Sequence, residues 1–390
     1  MLPAIVIPAF NRPLELQRLL DSVILALDAC SSPRPPIVIS IDGGDETVCA
    51  VARRYAPLGV DVRVQPRLGL REHILLCGDM VSEFGAVMVL EDDLILAPSA
   101  LLYAQVALAY AEHHSCIGAI SLYSFQNNDF VSRENLRAEC TGDVFLLRTG
   151  SSWGQIWQKN KWEEFREWLA NDYDDGKPYR VPDQVKQWPE TSWKKLFNFW
   201  LSNTEQWTLA PFFSVALCTG GLTGSNVSGI VGPHFSRVRT MPTEPVIGAF
   251  ENLMRLDEFM ELCMPQSNLR VPGTDIRLEQ IEFDLNLTKK KAHILQDYVL
   301  TRRKHRDGPA SHALAASLGN PLLALTTGAQ GKGLWLVPRD EFDETAPAHN
   351  DNIEFRLNVP WASTRLLFQQ SRAAISHAVR TRRGVWPASR

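Results

Sequence analysis

Ala86-Val87-Met88-Val89-Leu90-Glu91-Asp92-Asp93 sets five apolar residues directly against three carboxylates. The apolar run has strand length and no polar alternation, so it reads as a strand buried on both faces. Three further runs of the same kind precede it: Ile5-Val6-Ile7, Ile37 to Ile41 and Val60 to Val64. Helix-period segments separate them. Leu14 to Ala29 carries Leu16, Leu19, Leu20, Val23, Ile24 and Leu27 on one face, and Thr47 to Tyr55 and Leu70 to Glu83 follow the same period. Pro98 stands where another helix begins, and Ile117 to Ser121 reads as one more strand. Strands alternating with helices over the first ~120 residues predict an α/β fold with a mostly parallel sheet.

In an open parallel sheet, ligands bind beyond the carboxyl ends of the strands. Three such ends carry polar residues: Pro8-Ala9-Phe10-Asn11-Arg12-Pro13, Asp42-Gly43-Gly44-Asp45, and Glu91-Asp92-Asp93. Adjacent carboxylates repel and resist ionisation, and a divalent cation shared with a diphosphate relieves that repulsion. Hard oxygen ligands point to Mn²⁺ or Mg²⁺. Acids ahead of a helix also satisfy its dipole, and paired acids at a strand end also form phospho-acceptor pockets, so the triplet alone leaves three readings open. Asp42 can accept from a ribose hydroxyl or a base N–H, with Gly43 allowing close approach, or it can belong to a simple turn.

The order of the three segments resembles family 2-like bacterial glycosyltransferases with the GT-A fold. Pro8-Ala9-Phe10-Asn11-Arg12 is similar to their opening segment, and Glu91-Asp92-Asp93 resembles the acid triplet of the N-acetylglucosaminyltransferase I type. Arg67-Leu68-Gly69-Leu70-Arg71-Glu72-His73 and Gly150-Ser151-Ser152-Trp153-Gly154-Gln155-Ile156-Trp157 resemble two further blocks, so that the likeness spans roughly residues 3 to 235. The resemblance implies a nucleotide-sugar donor, a UDP-sugar, and an inverting transfer to a glycan or lipid-linked acceptor. It implies that Asp93 is the metal ligand, with His234 completing the shell or touching the diphosphate. Pro8, Phe10, Asn11, Arg12, Asp42, Gly43 and Arg71 would line the nucleotide pocket, Glu91 and Asp92 would meet donor hydroxyls, and Trp153 would face a sugar ring.

The resemblance fails at the catalytic base. Where relatives follow a tryptophan with acids, this chain has Ser192-Trp193-Lys194-Lys195. An ordinary lysine is protonated at neutral pH and takes no proton. Glu205, and after it Glu190, are the nearest acids in sequence, each equally readable as a solvated surface charge.

The 390 residues are 45% hydrophobic and 22% charged, the balance of a globular protein able to bury a large core. A net charge of −4 argues against a nucleic-acid partner. Seven scattered cysteines without a C-x-x-C pair suggest free thiols rather than a zinc site, and no apolar run reaches membrane-spanning length. These features, with no leader-like N-terminus, lead to a cytoplasmic expectation. The division expected is a catalytic domain over 1–235 and a mainly helical region over 236–390. In its last acid-free stretch, Leu366, Leu367, Ala374, Ile375 and Val379 among arginines suit either peripheral contact with anionic lipid or packing on the catalytic domain. Two other functions fit parts of the pattern. A sugar nucleotidyltransferase would open with a glycine-rich loop, which Pro8 to Pro13 lacks; a non-catalytic nucleotide-sugar-binding protein would lack a base.

Overall fold

The computed structural model describes residues 2–131, 133–135, 142–219, 245–264, 268–305, 311–315, 321–331 and 333–348. Strand β1 (Ala4–Ala9) leads into α1 (Pro13–Ala29), β2 (Ile37–Asp42), α2 (Glu46–Tyr55), β3 (Val60–Gln65), α3 (Leu70–Asp79), α4 (Val81–Phe84) and β4 (Ala86–Val89). Then come β5 (Leu94–Leu96), α5 (Ala100–Glu112), β6 (Ile117–Ser121), the short β7 (Asn127–Asn128) and β8 (Arg133–Glu134), β9 (Val144–Leu147) and β10 (Gln155–Gln158). Helices α6 (Lys159–Asn171), α7 (Asp183–Lys186) and α8 (Trp193–Asn203) precede β11 (Trp207–Pro211) and β12 (Ala216–Cys218). The βαβ alternation expected from the sequence is therefore present. The predicted helix over 70–83 is split at Met80 into α3 and α4.

The main sheet has ten strands in the order β14-β13-β9-β11-β6-β10-β4-β1-β2-β3, where β13 is Arg255–Leu256 and β14 is Leu262–Cys263. Strands β3, β2, β1 and β4 are parallel, while β10 runs antiparallel between β4 and β6. This α/β arrangement, a mostly parallel mixed sheet flanked by helices, is that of the GT-A fold. Alternating residues of each central strand feed two different cores. Ile5, Ile7, Ile39, Ile41 and Met88 pack under α1, α2 and α5. Val6, Val38, Val87 and Val89 face α3, α6 and α8.

The second core is an aromatic layer. Trp157, Trp162, Phe165, Phe197 and Trp200 are all 1% exposed or less, with Trp157 and Trp162 centroids 4.2 Å apart. The cluster of tryptophans noted in the sequence is thus mainly core, as large rings without special partners tend to be. Gly78 of α3 is part of this fit: a Cβ there would lie 2.1 Å from the Trp162 ring.

The C-terminal region departs from expectation. In place of a mainly helical segment, the described residues after 245 carry β13 and β14 of the main sheet. They then form a second sheet in the order β15-β16-β18-β17, from Ile281–Asp284, Tyr298–Thr301, Gly333–Pro338 and His312–Ala315. The one α-helix described there is α9 (Pro321–Thr327). The main sheet also crosses the expected boundary at 235, because Arg255 and Leu256 pair with Leu146 and Leu147 of β9. Strands of four residues are too short for a periodicity argument, and it is pairing with distant partners that makes them strands. An ionic cluster joins the two sheets: Lys289, fully buried, reaches Asp257 at 2.5 Å and Glu282 at 2.7 Å, and Arg180 contacts Asp257, Glu258 and Glu282. No helix among the described residues is long and apolar enough to cross a membrane.

Candidate functional site

The carboxyl ends of β1, β2 and β4 lie side by side, and the three polar segments singled out in the sequence meet there. Leu90 continues β4 by donating to the Val6 carbonyl. The chain then turns through Glu91, Asp92 and Asp93, closed by Leu94 N–H donating to the Glu91 carbonyl at 3.2 Å. Antiparallel pairing of β5 with β12 holds the far side of the turn, and Thr219 donates to the Asp93 carbonyl through both its N–H and its hydroxyl.

Asp92 and Asp93 are 7% and 8% exposed and share one cation. Arg12, at the foot of α1, donates to Asp93 Oδ2 at 2.9 Å and to Asp92 Oδ1 at 3.3 Å. The Phe10 backbone also donates to Asp92. The turn after β1 and the triplet after β4 are thus one structure. Burial pushes the Asp92 carboxyl up to about 7 despite Arg12, and burial together with the two aspartates pushes Glu91 up to about 8. The three carboxyls face Arg12 and, on the Glu91 side, Lys194.

Asp42, 1% exposed, is taken up entirely by the next loop. Leu68 N–H donates to its Oδ1 at 2.6 Å, Gly69 N–H to its Oδ2 at 3.1 Å, and the Arg67 guanidinium pairs with it. Arg67 in turn lies 3.6 Å above the Phe10 ring, a cation–π contact. Gly43 has φ +82°, and a Cβ there would come within 3.1 Å of the Arg67 side chain, so this close approach needs glycine. Asp45 caps α2, its side chain accepting from Thr47 and Val48 at 3.0 Å. Pro8, buried in β1, Phe10, Asn11, Arg12, Asp42 and Gly43 therefore gather on one wall, and Arg67, absent from the sequence-derived pocket, completes it. Arg71, in the first turn of α3, instead donates to the Glu190 carbonyl at 2.7 Å and ties that helix to the segment before α8.

On the other side of the triplet, β10 begins at Gln155, opposite Val89 of β4 and Ser121 of β6. Trp153, just before it, packs edge-on against Tyr123 at 4.5 Å and is partly buried. Gln155 is 1% exposed; its Oε1 accepts from Ser151 N–H, and its Nε2 has no partner among the described residues. Lys194, in the first turn of α8, lies near enough to Glu91 to draw its carboxyl down against the larger upward effect of burial.

The two acids nominated as base are elsewhere. Glu205 precedes β11, whose first residue Trp207 pairs with Ile117 at the start of β6. That is the amino edge of the sheet, across a strand of about 13 Å from the edge bearing the triplet. Glu205 is exposed there with φ +54°, a loop position linking α8 to β11. Glu190 is 65% exposed and holds Lys195 at 2.5 Å. For Glu205, the start of one strand and the end of its neighbour are separated by the length of the sheet. His234 lies outside the described residues, as does the acid-free segment from Phe355 to Arg390.

Residues 4–181 match the family model described as glycosyl transferase family 2. No curated protein matches the chain significantly. Among solved structures, S. aureus TarS 1–349 is 13% identical with a TM-score of 0.35, covering 56% of this chain and 61% of that one. The same protein in complex with UDP-GlcNAc is 12% identical, with a TM-score of 0.35 and coverage of 55% and 58%. Mannosyltransferase PcManGT from Pyrobaculum calidifontis, in complex with GDP-Man and Mn²⁺, is 14% identical, with a TM-score of 0.29 and coverage of 43% and 46%. The chain spans under two thirds of each of these structures, and likenesses at this level carry no argument of their own. The stretch that matches the glycosyl transferase family 2 model, residues 4–181, is the one that carries the Arg12 turn, the Asp42 loop and the acid triplet.

Proposed function

We propose that this enzyme transfers a sugar from a nucleotide-diphosphate donor, a UDP-sugar, to an acceptor hydroxyl with inversion at the anomeric carbon. The observation that carries this reading is the junction of the Arg12 turn with the acid triplet at the carboxyl end of β4. The nucleotide would lie along Phe10, Arg67 and the Asp42 loop, with its diphosphate reaching the triplet.

The donor set fits a hard divalent cation, Mn²⁺ or Mg²⁺. Asp92 and Asp93 are buried hard oxygen donors beside Glu91, and burial pushes the carboxyls of Glu91 and Asp92 upward in pKa. Among the described residues, no three acid, imidazole or thiol side chains converge to hold a cation unaided. In this proposal Asp93 would bind the cation, with phosphate oxygens and water completing its shell. When bound, such an ion neutralises the charge that develops on the departing diphosphate. Arg12, now on Asp92 and Asp93, lies where it can also meet a phosphate, a role suited to its planar fork of donors. Glu91 and Asp92 would accept from donor hydroxyls, and Trp153 would offer a ring face to the sugar. The acceptor would be a glycan or lipid-linked hydroxyl, as in surface polysaccharide assembly.

A donor screen tests the reading. UDP-glucose, UDP-galactose, UDP-N-acetylglucosamine and GDP-mannose, each with Mn²⁺, should give UDP or GDP release from at least one donor, abolished by a chelator. Turnover that survives complete chelation contradicts the metal-assisted form of this proposal; no binding of any of the four rejects the donor class.

A further inference from the structure

We propose that Asp129 is the group that takes the acceptor proton, held in place by Lys194; this rests on the glycosyltransfer reading above. Lys194 occupies the position at the start of α8 where the sequence comparison expected an acid. Its Nζ turns to Asp129, 3.7 Å from Oδ2, and sits over the rings of Trp188 at 5.4 Å and Phe125 at 5.8 Å. Both partners of the pair are largely sequestered, at 17% and 20% side-chain exposure.

The pair belongs to the same pocket as the triplet. Lys194 acts on Glu91 from one side. Asp129 acts on Tyr123, whose ring is edge-on to Trp153 at 4.5 Å and to Phe125 at 5.2 Å. Asp129 therefore shares a wall with Trp153, the ring assigned to the sugar, across from the diphosphate side formed by Arg12 and the triplet. Glu205, at the opposite edge of the sheet, does not reach this wall.

The loop bearing Asp129 is built rigidly, and the C-terminal region helps to build it. Asn128, fully buried, donates to the Phe259 carbonyl at 2.8 Å and accepts from Phe130 N–H at 2.9 Å. Asp129 N–H donates to Met260 Sδ at 3.3 Å, and Gln184 donates to the Phe130 carbonyl at 3.1 Å. Phe259 and Met260 lie in the turn between β13 and β14, where Met260 has φ +56°. This accounts for strands beyond residue 235 joining the catalytic sheet: they fix the backbone on both sides of the proposed base.

The step balances without another reactant. The acceptor oxygen forms a bond to the anomeric carbon as the bond from that carbon to the diphosphate oxygen breaks. The acceptor proton passes to Asp129, and UDP leaves with the electron pair. Water in the acceptor position gives free sugar and UDP by the same route.

The test compares wild type with Asp129→Asn, Asp129→Glu and Lys194→Met. Each is assayed for UDP release from UDP-glucose, UDP-galactose and UDP-N-acetylglucosamine with Mn²⁺, and for UDP–Mn²⁺ affinity by calorimetry. Asp129→Asn should bind UDP–Mn²⁺ as wild type does while kcat falls about 100-fold or more, the usual share of general-base catalysis. Asp129→Glu should recover part of the rate, and Lys194→Met should fall between. An Asp129→Asn enzyme that turns over at the wild-type rate overturns the proposal. So does one that loses UDP affinity in parallel, since the residue would then be structural. Wild type that binds UDP–Mn²⁺ but releases no UDP from any donor contradicts the transfer reading and this proposal with it, whereas wild-type turnover in Asp129→Asn contradicts this proposal alone. Wild type that binds no UDP overturns the nucleotide-sugar reading, and this proposal with it.

Discussion

Arg12 is the residue on which the described state of the site depends. It is the cation seen on Asp92 and Asp93, with side-chain exposures of 19%, 10% and 12% for the three. Removing one partner of such a group leaves carboxylates partly buried without compensation. Arg12→Gln should therefore lower folding stability by about 1–3 kcal/mol, discounted from a fully buried pair for partial solvent access. Millimolar Mn²⁺ should restore more stability to the variant than it adds to wild type, because the ion supplies the missing charge. Equal Mn²⁺ shifts in denaturant midpoint for the two proteins would speak against a cation site at the triplet. The meeting of Arg12 with Asp93 was legible because strand ends can be read from apolar runs alone. Asp129 was not. Its significance comes from Lys194, 65 positions away in a different element, and no pattern within either segment announces that pairing.

At the scale of elements, the packing of α3 on α6 depends on a glycine inside a helix. Gly78 leaves the space that Trp162 fills, and Trp162 Nε1 donates to the neighbouring Asp79 at 2.7 Å. Gly78→Ala would gain helix propensity, yet the overlap with the ring is far larger than any gain, so the variant should lose roughly 2–3 kcal/mol. A stability equal to or above wild type in chemical denaturation would show that the two helices can separate freely. A second element-scale expectation concerns acid. His293 packs on Phe259 at 4.8 Å, and its Nδ1 accepts from Lys290 N–H at 3.0 Å, which requires the unprotonated atom. Burial, with Lys186, Arg180 and Lys290 nearby and only Asp183 opposing, lowers its pKa to about 4. A depressed pKa contributes stability that is full above the unfolded value near 6.5 and is lost as pH falls through about 4. Stability should therefore drop by on the order of 3 kcal/mol over that window. His293→Asn, which keeps an acceptor without a titrating ring, should flatten the decline; an unchanged decline in that variant assigns it to other groups. Glu282 adds to the loss at lower pH: burial works against its ionisation, but Lys289 and Arg180 together bring it down to about 2, so its contribution is present above about 4.5 and fades below. The helical expectation for this region failed for the same reason that it is sensitive to acid. Its strands are short, and much of what holds them is ionic and long-range, as in Arg180 to Glu282, so it leaves no periodic trace in the sequence.

At the scale of the whole molecule, the main sheet is completed by strands from beyond residues 4–181, the segment that matches the glycosyl transferase family 2 model. The βαβ half, through β4 and the triplet, could be read directly from the chain, because each central strand is apolar on both faces and each helix shows its period. The wall proposed to take the acceptor could not, since it is assembled from the 122–131 loop, the start of α8 and the β13–β14 turn. The central claim is that the triplet binds a nucleotide diphosphate through a divalent cation. Calorimetric titration of UDP into the protein with Mn²⁺, repeated without metal and with Asp93→Asn, tests it most directly. The account predicts measurable binding in wild type that requires Mn²⁺ and is weakened at least tenfold in Asp93→Asn, while the variant keeps wild-type thermal stability. UDP binding of equal affinity with and without Mn²⁺, or unchanged in Asp93→Asn, would contradict it.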